Sequence, residues 1–179
     1  MAAGPQQSIH IRKATPQDVA TVSKLGAHIF TVTFGHSVPA NELQSFLEDS
    51  YSISATERDL KDPLKDMVVA SNQDGTILGF ALLTRGSVEP CLSHLESTVE
   101  LQRIYVDPDH HGKGVGRLLA NKLEDIARDE GFKHIWLGVW EENHNAQGMY
   151  EKLGYRRVGH HDFTIGEIVQ TDDIMTKEL

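Results

Sequence analysis

Between Val106 and Arg117 the chain reads VDPDHHGKGVGR, with Gly112, Gly114 and Gly116 at every second position. Backbone amides without side chains in front of them, delivered to the positive end of a helix, make a site for phosphate oxygens. Lys113 and Arg117 add positive charge to the same stretch. The nucleotide loop G-x-x-x-x-G-K-[ST] is excluded because no Ser or Thr follows Gly112-Lys113, and the dinucleotide fingerprint G-x-G-x-x-G is excluded by the glycine spacing. A bare G-x-G-x-G also serves simply to cap and pack a helix. The downstream residues favour chemistry: Asn143-His-Asn-Ala146 opens a second helical segment that carries Tyr150 along the same face as Asn143, roughly under Ala146.

The elements that must hold these groups follow from periodicity and turn chemistry. Residues 8 to 13 alternate as a strand, and Thr15-Pro-Gln-Asp18 supplies an N-cap, a proline at the first helical position and an acid at the third. The first helix is expected to end near Phe30, with residues 33 to 39 breaking the pattern. Two short helices follow, separated by residues 52 to 54. Apolar runs at 67 to 71 and 76 to 84 flank Asn72-Gln-Asp-Gly75 and predict an antiparallel hairpin.

Residues 98 to 106 form the strand that feeds the glycine loop. The helix after it carries Leu118, Leu119, Leu123, Ile126 and Ala127 at helical spacing and stops at Gly131. Residues 134 to 139 form the next strand, parallel to its predecessor because a helix intervenes. The Tyr150 helix ends at Gly154, and strands at 155 to 164 and 168 to 177 complete the chain. The expected class is α/β, a mixed and mostly antiparallel sheet of about seven strands with helices on both faces. Residues 1 to 7 are expected to be a flexible tail and residues 8 to 179 one domain.

At 179 residues the chain has room for little more than one domain. Its formal charge of −9 argues against nucleic acid or an anionic membrane as the main partner. The excess acid is concentrated: residues 36 to 66 hold seven acids and three bases, and residues 141 to 179 hold eight and four. Residues 107 to 134, around the glycine loop, hold six acids and five bases. The single Cys91 excludes an internal disulfide, and no bilayer-length apolar run or signal-like start occurs, so a cytoplasmic setting is expected. Ten histidines, including the pairs His110-His111 and His160-His161, lack an accompanying ligand spacing and read as surface or loop residues rather than metal ligands. Trp136 reads as core, whereas Trp140, just before Glu141-Glu142, is suited to line a pocket and stack on an ammonium.

The pair of motifs resembles the Gcn5-related N-acetyltransferase (GNAT) family. Its signature Q/R-x-x-G-x-G/A is matched by His111-Gly112-Lys113-Gly114-Val115-Gly116, with His in the first position. The resemblance implies a GNAT fold whose central parallel pair splays at the cofactor site. It also implies acetyl-CoA as co-substrate, its pyrophosphate held by the loop from His111 through Arg117, and no metal. Ile104, Tyr105 and Val106 would contact the acetyl group and pantetheine arm through backbone atoms. Asn143 would hydrogen-bond the pantetheine or phosphate region, Ala146 would also border the cofactor, and Tyr150 would face the sulfur.

Amide formation then assigns roles: an ammonium must lose a proton, the oxyanion must be held, and the leaving thiolate must be protonated. Tyr150, with an unperturbed pKa of ~10, suits the last of these. An Ile104 N–H would polarise the carbonyl. Glu100 matches the strand acid that some members use as base, while Gln102, at a place where others carry glutamate, cannot take a proton. Gln102, Trp140 and Glu42 would border the acceptor, and a water chain to Glu100 or Glu42 is an alternative route for the proton.

Residues 135 to 155, 170 to 179 and, more weakly, 29 to 51 are similar to the PaiA type of spermidine/spermine N-acetyltransferase. The implied activity is transfer of acetyl to a primary amine of a small cationic acceptor by direct attack in a ternary complex. A homodimer is common for this fold. Alternative acceptors are a protein N-terminus, lysine, an amino acid or an antibiotic amine. The alternative of another class is a non-catalytic acyl-CoA-binding regulatory module, which would bind CoA without releasing thiol.

Overall fold

A computed structural model of the chain describes residues 8 to 179, so the tail expected at 1 to 7 lies outside the described residues. The elements in order are β1 (His10–Lys13), α1 (Val19–Phe34), α2 (Ala40–Tyr51), α3 (Ile53–Lys61), β2 (Lys65–Ser71), β3 (Ile77–Thr84), β4 (Thr98–Val106), α4 (Val115–Asp129), β5 (His134–Trp140), α5 (His144–Lys152), β6 (Arg156–Ile165) and β7 (Ile168–Glu178). The strands form one sheet in the order β1-β2-β3-β4-β5-β7-β6. Every pairing is antiparallel except β4 with β5. This is the mixed α/β architecture expected from the sequence.

The two faces of the sheet bury different helices. Leu119, Ala120, Leu123 and Ala127 of α4 pack with Val68, Leu83, Val99, Leu101, Ile135 and Leu137, and Tyr150 of α5 joins the same cluster. On the other face Val22 and Leu25 of α1 cover Met67, Val69, Phe80 and Leu82. Phe30, Tyr51 and Ile165 continue that face toward β6. Each such fully buried aliphatic or aromatic side chain contributes about 1.5–3 kcal/mol relative to exposure.

Several boundaries differ from the sequence expectation, each for a local reason. Helix α1 runs through Phe34 instead of stopping near Phe30, because Phe34 stacks on Phe30 one turn earlier at 4.5 Å between centroids. Ser52 alone separates α2 from α3, its hydroxyl accepting from Ala55 N–H at 3.1 Å as an N-cap. Leu118 lies at the edge of the apolar stripe of α4 and is exposed. The capping group at Thr15 forms as expected, Asp18 accepting from the Thr15 N–H at 2.7 Å and hydroxyl at 2.9 Å. Among the described residues no helix is long and apolar enough to cross a membrane.

Candidate active site

The glycine loop links β4 to α4, and its three glycines are required for two different reasons. Gly112 and Gly114 have φ of +73° and +81°, and a Cβ built on either would meet nothing within 4 Å. They are needed for backbone conformation, and the backbone they carry is open. Gly116 has ordinary helical geometry, but a Cβ there would lie 3.0 Å from Met149 Sδ. It is needed so that α5 can pack on α4. Gly114 is the N-cap of α4, so the first-turn amides at Val115, Gly116 and Arg117 lack helical partners at the positive end of the helix. Open amides in this setting fit an anionic pyrophosphate.

The flanking side chains stabilise the loop. His111 Nε2 lies 2.9 Å from the Val106 carbonyl, which only accepts, so this nitrogen carries the proton. Lys113 Nζ folds back to donate to the Asp109 carbonyl at 3.0 Å. Arg117 lines an open groove of about 800 Å³ between α4 and α5, together with Asn121, His144, Lys152 and Lys177.

Strands β4 and β5 pair over only three residues each, Thr98 to Glu100 against His134 to Trp136. Beyond Glu100 they diverge. At Ile104 and Val106 the backbone edge of β4 faces the gap without a strand partner among the described residues, whereas Tyr105, expected to share this role, turns its carbonyl toward Gly79 and its backbone toward β3. Asn143 caps α5, its Oδ1 accepting from Ala146 N–H at 3.2 Å. One turn beyond Ala146, Tyr150 is buried among apolar residues, and its hydroxyl has no hydrogen-bond partner among the described residues. Burial pushes its pKa well above the ordinary phenol value.

A register shift in β4 between the partners of Leu82 and Leu83 leaves Gln102 as an extra residue. Val99 and Leu101 face α4 before the bulge, and Ile104 and Val106 face it afterwards. Glu100, Gln102, Arg103 and Tyr105 are thereby gathered on the opposite face. Gln102 Oε1 accepts from Thr84 at 2.6 Å. Tyr105 and Tyr51 share a hydroxyl contact of 2.6 Å, and Arg103 lies over the Tyr51 ring while donating to Asp59 at 2.8 Å. Burial raises the Glu100 pKa, opposed by the Ser87 hydrogen bond and by the charges of Lys65, His161 and Arg103.

Trp140 lies at the end of β5 with its ring 5.0 Å from Phe34 and 5.8 Å from His36. Glu42 is tied to the β6–β7 turn, where its Oε2 accepts from the Glu167 N–H at 2.8 Å. His161 departs from the surface-or-loop expectation. It sits in β6 with Nδ1 2.7 Å from the buried carboxylate of Glu89 and Nε2 3.8 Å from Asp172. The alternation of β6 and β7 carries a signal for His161 and Asp172 sharing a face. The loop around Glu89 carries none.

A helix terminus with open amides beside a parted parallel pair is suited to an acyl-CoA type of ligand. The sequence pattern of the Acetyltransferase (GNAT) family matches residues 33–155. The chain is also 30% identical over 162 residues to an uncharacterized N-acetyltransferase of Mycobacterium tuberculosis, covering 90% of this chain and 98% of that one. It is 28% identical over 161 residues to the streptothricin acetyltransferase of Streptomyces lavendulae, with coverage of 83% and 82%. The crystal structure of a PaiA N-acetyltransferase from Thermoplasma acidophilum in complex with coenzyme A has the same fold, at a TM-score of 0.75 and 23% identity over 96% of this chain and 99% of that one. The chain belongs to the GNAT family and is an acetyl-CoA-dependent N-acetyltransferase.

Proposed function

We propose that the protein acetylates a primary amine of a small cationic acceptor, of the polyamine or diamine class, by direct attack in a ternary complex. One observation carries this reading: the glycine loop and a face rich in carboxylates and aromatic rings meet at the gap where β4 and β5 separate. An anionic donor and a cationic acceptor thus have chemically distinct approaches to one point.

In this reading the amides of the loop from Gly112 to Arg117, with His111 bracing the strand end, hold the pyrophosphate. Acetyl-CoA supplies an activated thioester. The Ile104 N–H polarises the acyl carbonyl, while Val106 offers backbone groups to the pantetheine arm. The Asn143 amide nitrogen, without a partner among the described residues, and the Ala146 turn border that arm as well. Glu100, with a raised pKa in a partly buried setting, takes the proton from the ammonium. Tyr150, whose hydroxyl keeps its proton at neutral pH, gives it to the departing thiolate. Gln102, Trp140 and, at the rim, Glu42 border the acceptor.

The test is release of free thiol from acetyl-CoA with a panel of polyamines, diamines, monoamines, amino acids and streptothricin. Preferential turnover of polyamines or diamines supports the reading. An antibiotic amine is the second reading, favoured by the likeness to streptothricin acetyltransferase, and preferential turnover of streptothricin would establish it instead. CoA binding with no turnover of any amine would leave the non-catalytic module.

A further inference from the structure

Asp172 is a carboxylate with one ion-pair partner among the described residues, His161 at 3.8 Å. It lies on β7 in register with Trp140 of β5 on one side and His161 of β6 on the other. Its side chain leans across β5 above Gly138, where a Cβ would come within 3.0 Å of Oδ2. Gly138 is exposed, although Leu137 and Val139 on either side are buried. It also lies beyond the last β4–β5 pair, Glu100 with Trp136. The missing side chain at 138 therefore lets a carboxylate reach the floor of the cleft just where the central strands part.

The surroundings suit an ammonium group. Trp140 beside Asp172 offers an aromatic face, backed by Phe34. Two residues earlier on the same face, Gln170 donates its amide to Ser37 Oγ at 2.7 Å. Ser37 gives its own proton to the Phe34 carbonyl at 2.8 Å, which fixes the amide orientation and leaves Gln170 Oε1 without a donor among the described residues. Behind Asp172, His161 is held by Glu89 at 2.7 Å. Glu100 and Asp172 are offset by two strands and four residues. Strand spacing alone separates their Cα atoms by roughly 16 Å, which the lean of Asp172 shortens.

We propose that Asp172, backed by His161 and flanked by Trp140, binds the second, non-reacting ammonium of a diamine or polyamine while the first is deprotonated at Glu100. This rests on the reading of a cationic acceptor above and names the residue that makes a second charge useful. His161 is a positioning residue. Burial lifts the Asp172 carboxyl to about 6, with His161 acting against the shift and Asp173 adding to it. The other charged or titratable groups around this face are Glu89 beside His161, Glu100, Arg103 and Tyr105 on β4, Lys65 on β2 near Glu100, and His36 beside Trp140. The carboxylate is thus charged above pH 6 and loses its charge below it, so selectivity for a second ammonium should fall as pH drops through 6.

The experiment compares 1,6-diaminohexane with hexylamine, reading the ratio of their kcat/KM values from thiol release. Asp172→Asn is expected to lower that ratio about 30-fold, the loss of one charge-assisted hydrogen bond, through KM for the diamine and not through kcat. Gly138→Ala, which crowds the carboxylate without removing it, should lower the ratio about 5-fold and supplies the test if the asparagine variant does not fold. An unchanged ratio in a folded variant, or a fall in kcat shared by both amines, overturns the subsite while leaving the cationic-acceptor reading standing. A native enzyme that shows no preference for the diamine overturns both.

Discussion

The rings of Tyr150 and Tyr155 meet edge to face, their centroids 5.6 Å apart and their planes at 64°. Tyr155 anchors this pair, its hydroxyl donating to the buried Glu124 at 3.2 Å, whereas the Tyr150 hydroxyl has no partner among the described residues. The ring of Tyr150 is therefore structural and its oxygen is free for chemistry. Tyr150→Phe keeps the ring and removes only the oxygen. Thermal unfolding should show a stability change below about 0.5 kcal/mol, because no hydrogen bond is lost. Thiol release should fall about 100-fold in kcat with CoA affinity unchanged. A variant of equal activity would remove Tyr150 from proton transfer.

Gly114→Ala tests the loop. A Cβ there meets no neighbour, so any effect comes from forcing an alanine to a φ of +81°. The conformational cost is about 1–2 kcal/mol. If the loop relaxes to escape it, the amides at the start of α4 lose their alignment. Calorimetry should show CoA binding weakened about 10-fold, the equivalent of that cost. Gly116→Ala should act differently, since its Cβ meets the flexible end of Met149 and not open space. It should loosen α5 against α4 and lower thermal stability more than CoA affinity.

The parts of the site that lie within one continuous segment were readable from sequence. The glycine spacing, the Asn143 cap and the helical phase of Tyr150 are all local, and each stands where periodicity predicts. The proposed acceptor face was less readable because it is assembled across strands. Nothing near Gln102 in sequence announces the bulge that brings Arg103 and Tyr105 onto the side of Glu100, since it is set by the register against Leu82 and Leu83. The Glu89–His161–Asp172 contacts join a loop to two strands and need the β5-β7-β6 order, in which β7 inserts between its predecessors. The extension of α1 to Phe34 is partly of the same origin: besides the local stack on Phe30, Phe34 packs on Trp140 of β5 and Phe163 of β6, which outweighs the weak helix preference of the intervening residues.

Glu100→Gln tests the proposed base. Burial holds the folded-state pKa of Glu100 above its ordinary value, so the carboxylate is lost at a higher pH than for a free glutamate. The rate should fall as pH drops through that raised pKa, because only the ionised form accepts a proton. The glutamine variant should lose about 100-fold in kcat/KM at neutral pH. Its residual activity should no longer show that acidic limb in a pH profile. A retained limb would assign it to another group, with Asp172 the first to examine by the same substitution.

Arg103 tests how far the proposed acceptor face depends on its buried charges. Its guanidinium pairs with Asp59 at 2.8 Å and covers the Tyr51 ring at 4.7 Å, and Asp59 also pairs with Lys65. Arg103→Met keeps much of the packing but leaves Asp59 one cation short. Truncating one member of a buried pair costs about 3–5 kcal/mol; the remaining Lys65 contact should reduce this to about 2 kcal/mol. Chemical denaturation would measure it. The double variant Arg103→Met with Asp59→Asn should recover most of the loss, and failure to do so would show that packing against Tyr51 outweighs the charge pair.

Ionic strength separates recognition of a cationic acceptor from the uneven charge serving solubility alone. Residues 36 to 66 and 141 to 179 hold the acid excess, and they supply α2, α3, α5, β6 and β7, whereas the glycine loop and α4 are nearly balanced. Exposed charges are screened over about 10 Å at 0.1 M salt and about 3 Å at 1 M. If the acidic segments attract the acceptor, KM for a polyamine should rise several-fold between low and high salt while kcat holds. KM for hexylamine should rise less, because it carries one charge instead of several. KM for acetyl-CoA should also respond weakly if, as proposed, its pyrophosphate is held at the loop chiefly by backbone amides. A salt-independent KM for the polyamine would assign the acidic excess to solubility and shift the weight of recognition onto the short-range contacts at Trp140 and Asp172.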